Sequence, residues 1–271
     1  MAWLNRIAGL SQMITLIIGG IVAGLLAGLF GIGGGALVIP ILIAIYKSSG
    51  INPTDSIRLA FGTSLAIMAF TGLSSFLSHM KAGNVDLAWC KKLYLASGVG
   101  AFLGALIATR IPGIWLTIAL AGMLFYFGIK LLGLFSSSLG ASPIFARFYP
   151  VAGFFSGATY SLAGLGGASV MTFYLMKVGL PLRRAIGTAT GVILPISVGA
   201  VLGFGITSGM PHDWRWGYID LYALLIMSAC SIPASKIGVR LAGLIPTDRL
   251  RKAFGLLMVG LAIKTAAVMI L

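Results

Sequence analysis

The sequence predicts an all-α polytopic membrane protein built as two inverted-topology repeats of about five helical segments each, with short broken helices after Gly-rich motifs. Three observations predict it. Hydrophobic residues make up 59% of the 271-residue chain and charged residues 9%, against roughly 25% charged in a soluble domain. The apolar residues form ten continuous segments, not the short alternating stretches of a β-barrel. The first five segments and the last five carry the same motifs in the same order.

The first segment covers residues 11–30. Arg6 precedes it as in a secretory leader, but no small-residue cleavage site follows and the run continues into glycines, so it reads as the first membrane segment. The second, 34–46, starts in the cluster Gly31, Gly33, Gly34 and Gly35. The third, 58–80, opens on R-L-A-F-G-T-S; the fourth is 90–109, and the fifth, 112–135, follows Ile111. The Ser-, Gly- and Pro-rich stretch 136–147 reads as a linker. The remaining segments are 148–163, 167–179 (after Gly164, Gly166 and Gly167), 185–208 (after R-R-A), 217–239 and 250–271. Spanning a bilayer takes about 20 residues, so the second and seventh are too short to cross comfortably. Residues 1–135 form the N-terminal repeat and 148–271 the C-terminal inverted repeat of one transmembrane domain.

The repeat rests on three ordered matches. Leu29–Ile39 aligns with Leu162–Thr172, Arg58–Ser64 with Arg183–Ala189, and Ile111–Lys130 with Ile245–Lys264. Five segments per half is an odd number, so the second half enters the membrane from the opposite side, an arrangement many secondary transporters share. The net charge of +14 sits in short loops and sets orientation. Lys81, Lys91, Lys92, Arg147, Lys177, Arg183, Arg184, Arg240, Arg249, Arg251 and Lys252 mark the cytoplasmic side. Arg6, Lys47, Arg58, Arg110 and Arg215 mark the other, so both termini are expected to be extracytoplasmic.

Irregular backbone is tolerated in a bilayer only where protein covers it or a cavity runs past it. Gly31, Gly33, Gly34 and Gly35 permit a sharp break, and the short segment after them then points its N-terminus into the membrane. A helix N-terminus offers free N–H donors and about half a positive charge, which suits an anion. Gly164, Gly166 and Gly167 would do the same from the other side. Close helix packing is the competing reading, and Gly24 and Gly28 have its spacing. Thr63, Ser64, Thr188, Thr190 and Ser161 add hydroxyls near the two breaks; each could bind an anion or bond back to its own helix. Pro40 and Pro195 are expected to kink their segments. Arg58, Arg183 and Arg184 read first as topology signals and second as guides for anions.

The absences bear on function class. The chain has no glutamate, and Asp55, Asp86, Asp213, Asp220 and Asp248 all fall in loops or at segment ends. A cation pathway or a proton relay usually keeps an ionisable group in mid-membrane. His79 and His212 lie near segment ends and read as interfacial. Cys90 and Cys230 are isolated, so no metal site, cofactor or disulfide is expected. No basic stripe marks a nucleic-acid surface. An intramembrane aspartyl protease needs paired buried aspartates, and a zinc protease needs the glutamate of H-E-x-x-H. A serine protease would need Ser161 beside His212, which sits in a polar loop.

The run Gly31 to Pro40 and the R-x-A-x-G-T repeat, with the chain length, resemble the sulfite exporter TauE/SafE (TSUP) family over essentially the whole sequence. The second half departs from the pattern, with two adjacent glycines after Leu165 and Phe173 where Pro40 stands. The resemblance implies a multi-pass transporter of the cell inner (plasma) membrane for small sulfur-containing anions such as sulfite, sulfoacetate and other organosulfur compounds, usually by export. A passive anion channel is the alternative. The expected partners are a small anionic substrate and the lipid bilayer, and a homo-oligomer is compatible with both readings.

Overall fold

The computed structural model describes residues 2–30, 35–133, 143–164, 166–207 and 215–270. The first half contains α1 (Ala2–Phe30), α2 (Gly35–Ser48), α3 (Pro53–Lys81), α4 (Leu87–Ala108) and α5 (Gly113–Leu132). A 3₁₀ turn, Pro143–Phe148, leads to α6 (Tyr149–Ala163), α7 (Gly166–Lys177) and α8 (Leu182–Ile206). A small hairpin of β1 (Arg215–Trp216) and β2 (Ile219–Asp220) precedes α9 (Leu221–Leu244) and α10 (Thr247–Ile270). Among the described residues, six helices are long and apolar enough to cross a membrane: α1, α3, α4, α5, α8 and α9. The chain is an all-α polytopic membrane protein apart from that hairpin.

The helix boundaries have local causes. Asn52 caps α3 by accepting from the Thr54 N–H at 2.9 Å, with Pro53 as the first helical residue. Asp86 caps α4, accepting from Ala88 and Trp89 N–H at 3.1 and 3.3 Å. Asp220 caps α9 in the same way, accepting from Tyr222 and Ala223 at 2.9 and 3.1 Å. Asp55 and Asp248 lie in the first turns of α3 and α10. Four of the five aspartates therefore sit at helix N-termini, where a negative charge is favourable; Asp213 lies outside the described residues.

Small residues fix the packing. Gly24 and Gly28 let α1 lie against Ser231 and Ser235 of α9, where a Cβ would strike backbone. Gly100, Gly104 and Gly157 do the same between α4 and α6. The spacing of Gly24 and Gly28 thus serves close helix contact. Two hydroxyl pairs, Thr71–Ser231 at 2.7 Å and Ser74–Ser235 at 2.8 Å, stitch α3 to α9. The pairings run between halves: α1 with α9, α4 with α6, α5 with α10 and α3 with α8. The two sequence halves interleave and are not separate bodies.

Directions follow from the contacts. Gly62 abuts Phe204 and Gly72 abuts Ile193, so α3 and α8 run antiparallel. Gly20, Gly24 and Gly28 meet Met227, Ser231 and Ser235 in turn, so α1 and α9 run parallel. The ends of α3 and α8 are held by reciprocal hydrogen bonds. The Thr63 hydroxyl accepts from the Asp220 N–H at 2.9 Å, and the Thr188 hydroxyl accepts from the Asp86 N–H, also at 2.9 Å. Replacing either threonine by valine keeps the shape and leaves an amide unpaired. Thr63→Val and Thr188→Val are each expected to lower stability by about 1–3 kcal/mol, read as an earlier thermal unfolding transition in detergent. An unchanged transition in both would show that water takes over the bond.

Candidate functional site

α1 ends at Phe30 and α2 begins at Gly35; the intervening Gly31, Gly33 and Gly34 lie outside the described residues. α6 ends on Gly164, which is left-handed at φ +74° and donates its N–H to the Tyr160 carbonyl at 2.8 Å. Glycine suits that cap because a Cβ there is strained. Gly166 and Gly167 are the first residues of α7.

The two glycine breaks touch. A Cβ on Gly35 would lie 2.5 Å from the Gly164 carbonyl oxygen and would collide with the Met68 methyl. A Cβ on Gly164 would collide with Ile39 and lie 3.3 Å from Phe61. The sequence-distant motifs therefore form one junction against α3. Phe61, Ser64 and Met68 lie three and four residues apart, on one face of α3. Ser64 is fully buried and its hydroxyl has no partner. Tyr160, also fully buried, lies with its hydroxyl 2.6 Å from the Met68 sulfur. The position on α8 that aligns with Ser64 is Ala189, so the second half brings no equivalent hydroxyl.

The other candidate hydroxyls are occupied. Thr63 and Thr188 hold loop amides as described. Thr190 donates to the Gly187 carbonyl of its own helix at 2.6 Å. Ser161 donates to the Ala101 carbonyl of α4 at 2.7 Å. Pro40 and Pro195 lie within α2 and α8.

The arginines of the two R-x-A-x-G-T motifs have different surroundings. Arg58 is largely enclosed and donates to the Ile111 carbonyl at 3.0 Å and the Tyr218 hydroxyl at 3.4 Å. Asp55 stands 3.9 Å away, and the Tyr218 ring centroid is 5.8 Å from the guanidinium carbon. With Gly62 seated on the Tyr218 backbone, this seals the seam between α3 and the α8 C-terminus. At the opposite end Arg183 is exposed and lines a cavity of about 930 Å³ between α3, α8 and α9. Arg184 pairs with Asp86 at 3.6 Å.

Among the described residues the cavity carries Lys81, Arg183, Lys236 and Arg240 and no carboxylate. Four like charges on partly apolar walls focus a positive potential, which draws anions in. Its lining also includes Leu29, close before the first glycine run, and Ser74, Ser78, His79 and Asn84. The sequence reading missed Lys236 and the burial of His79, which is 5% exposed. α3 is buried over most of its surface, and its exposed face carries apolar Phe70, Leu73 and Leu77, so no amphipathic period marks which of its polar residues look inward. Among the described residues no group of three or more His, Cys, Asp or Glu could hold a metal ion.

The family model described as sulfite exporter TauE/SafE matches residues 16–265. The chain belongs to the sulfite exporter TauE/SafE family. Similar proteins carry the description of probable membrane transporter proteins. One from Haemophilus influenzae is 28% identical over 90% of this chain and 94% of its own. One from Methanocaldococcus jannaschii is 30% identical over 87% and 88%. One from Bacillus subtilis is 32% identical over 85% and 90%. No solved structure matches the chain. As a TauE/SafE family member with six helices long and apolar enough to span, the chain is a multi-pass membrane transporter.

Proposed function

We propose that this TauE/SafE protein is a secondary transporter, not an enzyme, that exports small sulfur-containing oxyanions such as sulfite or sulfonates across the inner membrane. The observation that carries the reading is the all-cationic cavity on one end of the α3–α8 seam, opposite an end closed by Arg58. Lys81, Arg183 and Arg240 at the cavity belong to the basic set expected in the cytoplasm. On that orientation the protein faces inward, ready to load an anion from the cell, and both termini are extracytoplasmic. Beyond the cavity, the Gly35–Gly164 junction supplies first-turn N–H groups and the unpartnered Ser64 hydroxyl.

The antiparallel course of α3 and α8 and the reciprocal threonine bonds support two halves related by inverted topology. Alternating access then exchanges the two arginine environments. In the outward-facing state Arg183 would lock against the Ile245 carbonyl, the repeat counterpart of Ile111, and Arg58 would be released. A passive channel needs no closed end, so the Arg58 seal favours a carrier. The test is flux into proteoliposomes of the purified chain, using sulfite, sulfate, thiosulfate and ethanesulfonate in turn. Saturable flux with counterflow of labelled anion is expected. Flux that rises linearly with concentration and shows no counterflow would favour the channel, and no flux for the whole panel would overturn the substrate class.

A further inference from the structure

His79 is the titratable side chain in the cavity wall that the anion reading leaves without a role. It sits on α3 at 5% exposure, and neither ring nitrogen closes a hydrogen bond. The backbone of Gly28 on α1 faces the ring. The charged groups that share its cavity are Lys81 from α3 itself, Arg183 from α8, and Lys236 and Arg240 from α9; α1 lines it through Leu29. All four charges are positive. A buried imidazole that satisfies neither nitrogen loses hydrogen-bond energy that an incoming ligand could restore.

We propose that the transported anion binds in the α3–α8–α9 cavity together with a proton on His79, so that the two cross as cotransported species. The inference rests on the anion-transport reading above. In an empty cavity a proton on the ring adds a fifth positive charge with no carboxylate to offset it. A bound oxyanion reverses that: it accepts an N–H from the imidazolium and neutralises part of the surrounding charge. Anion and proton therefore raise each other's affinity by the same factor. The balance is simple: one anion and one proton enter from one side and leave together on the other, and no covalent bond changes. For a divalent anion one net negative charge leaves the cell with each cycle, so the inside-negative membrane potential drives export. For a monovalent anion the cycle is electroneutral and only the two concentration gradients act.

The experiment is calorimetric titration of the detergent-purified full chain with sulfate and with ethanesulfonate, in two buffers of different ionisation enthalpy. Both probes stay ionised near neutrality, so any proton taken up goes to the protein. The wild type is expected to take up a proton, to about one per anion bound. His79→Asn and His79→Gln are each expected to bind about tenfold more weakly and to take up none. Lys236→Gln should weaken binding while keeping the proton count. Proton uptake in the histidine variants equal to wild type, with both eluting as single species, overturns the proposal. So does binding to wild type without proton uptake. Binding of neither probe while the flux panel is active also overturns it and leaves the transport reading standing; silence in both overturns both. An anionic lipid headgroup is the other source of the same chemistry. Proton-linked binding that survives reconstitution into phosphatidylcholine nanodiscs supports the free anion, and binding blocked by added phosphatidylglycerol there assigns the cavity to lipid and overturns cotransport.

Discussion

Gly164→Ala is expected to abolish transport, at least a hundredfold below wild type per folded molecule, while Gly122→Ala transports normally. Gly164 holds φ +74°, where an L side chain costs about 1–2 kcal/mol. Its new methyl would also collide with Ile39 and crowd Phe61, and overpacking of this kind costs about 1–3 kcal/mol. The loss falls where the two halves meet. Gly35 lies against the Gly164 carbonyl, so the α6–α7 break cannot shift without moving the α2 start. Gly122 faces open space and serves as the control. The measurement is flux normalised to monodisperse protein recovered after solubilisation. Wild-type flux by a well-folded Gly164→Ala protein would remove the junction from the transport path.

Arg58→Gln carries the second large effect, on which side of the seam is open. The guanidinium makes two hydrogen bonds, to Ile111 and Tyr218, and faces Asp55 in a largely enclosed site. Hydrogen bonds to a charged group contribute about 1.5–3 kcal/mol each. Losing a net 2–3 kcal/mol changes the balance of two states by roughly 30- to 150-fold. The readout is a cysteine at Leu59, which is 3% exposed beside the seal, in a background with Cys90 and Cys230 replaced. Labelling by a membrane-impermeant maleimide is expected to rise at least tenfold in Arg58→Gln. Arg183→Gln should not raise that labelling, because Arg183 lies at the opposite end of the seam and its lock belongs to the outward-facing state. Equal labelling with and without Arg58 would end its role as a gate.

Much of the helix plan was legible from composition and punctuation. The expected segments 34–46, 58–80 and 90–109 became Gly35–Ser48, Pro53–Lys81 and Leu87–Ala108. Glycine clusters and capping Asn or Asp are local signals, so they survive without tertiary information. The expected first segment, 11–30, matches the apolar span Leu10–Phe30 inside the longer helix α1. One boundary was misread for a physical reason. The stretch from 217 reads as membrane, yet Gly217, Tyr218 and Ile219 belong to the hairpin that closes over Gly62. Apolar loop residues packed under a seal look the same as a helix start.

The candidate site was legible in kind and not in arrangement. Thr63 and Thr188 stand out in the sequence as repeated hydroxyls, and each holds a loop amide from the other half. Ser64, one position on, is the hydroxyl left unpaired. Nothing along the chain separates the two, because the difference is about 100° of rotation around α3. By itself the sequence determined a helical membrane protein of the TauE/SafE family, with two glycine breaks and a strongly basic balance of loop charges. Only the tertiary structure decided that the breaks touch through Gly35 and Gly164 and that the halves interleave. It also decided that Arg58 is sealed in while Arg183 and His79 line a cavity. Hydropathy and glycine spacing are properties of one segment. Which segment lies beside which depends on small-residue contacts between helices far apart in sequence, and no local pattern encodes that pairing.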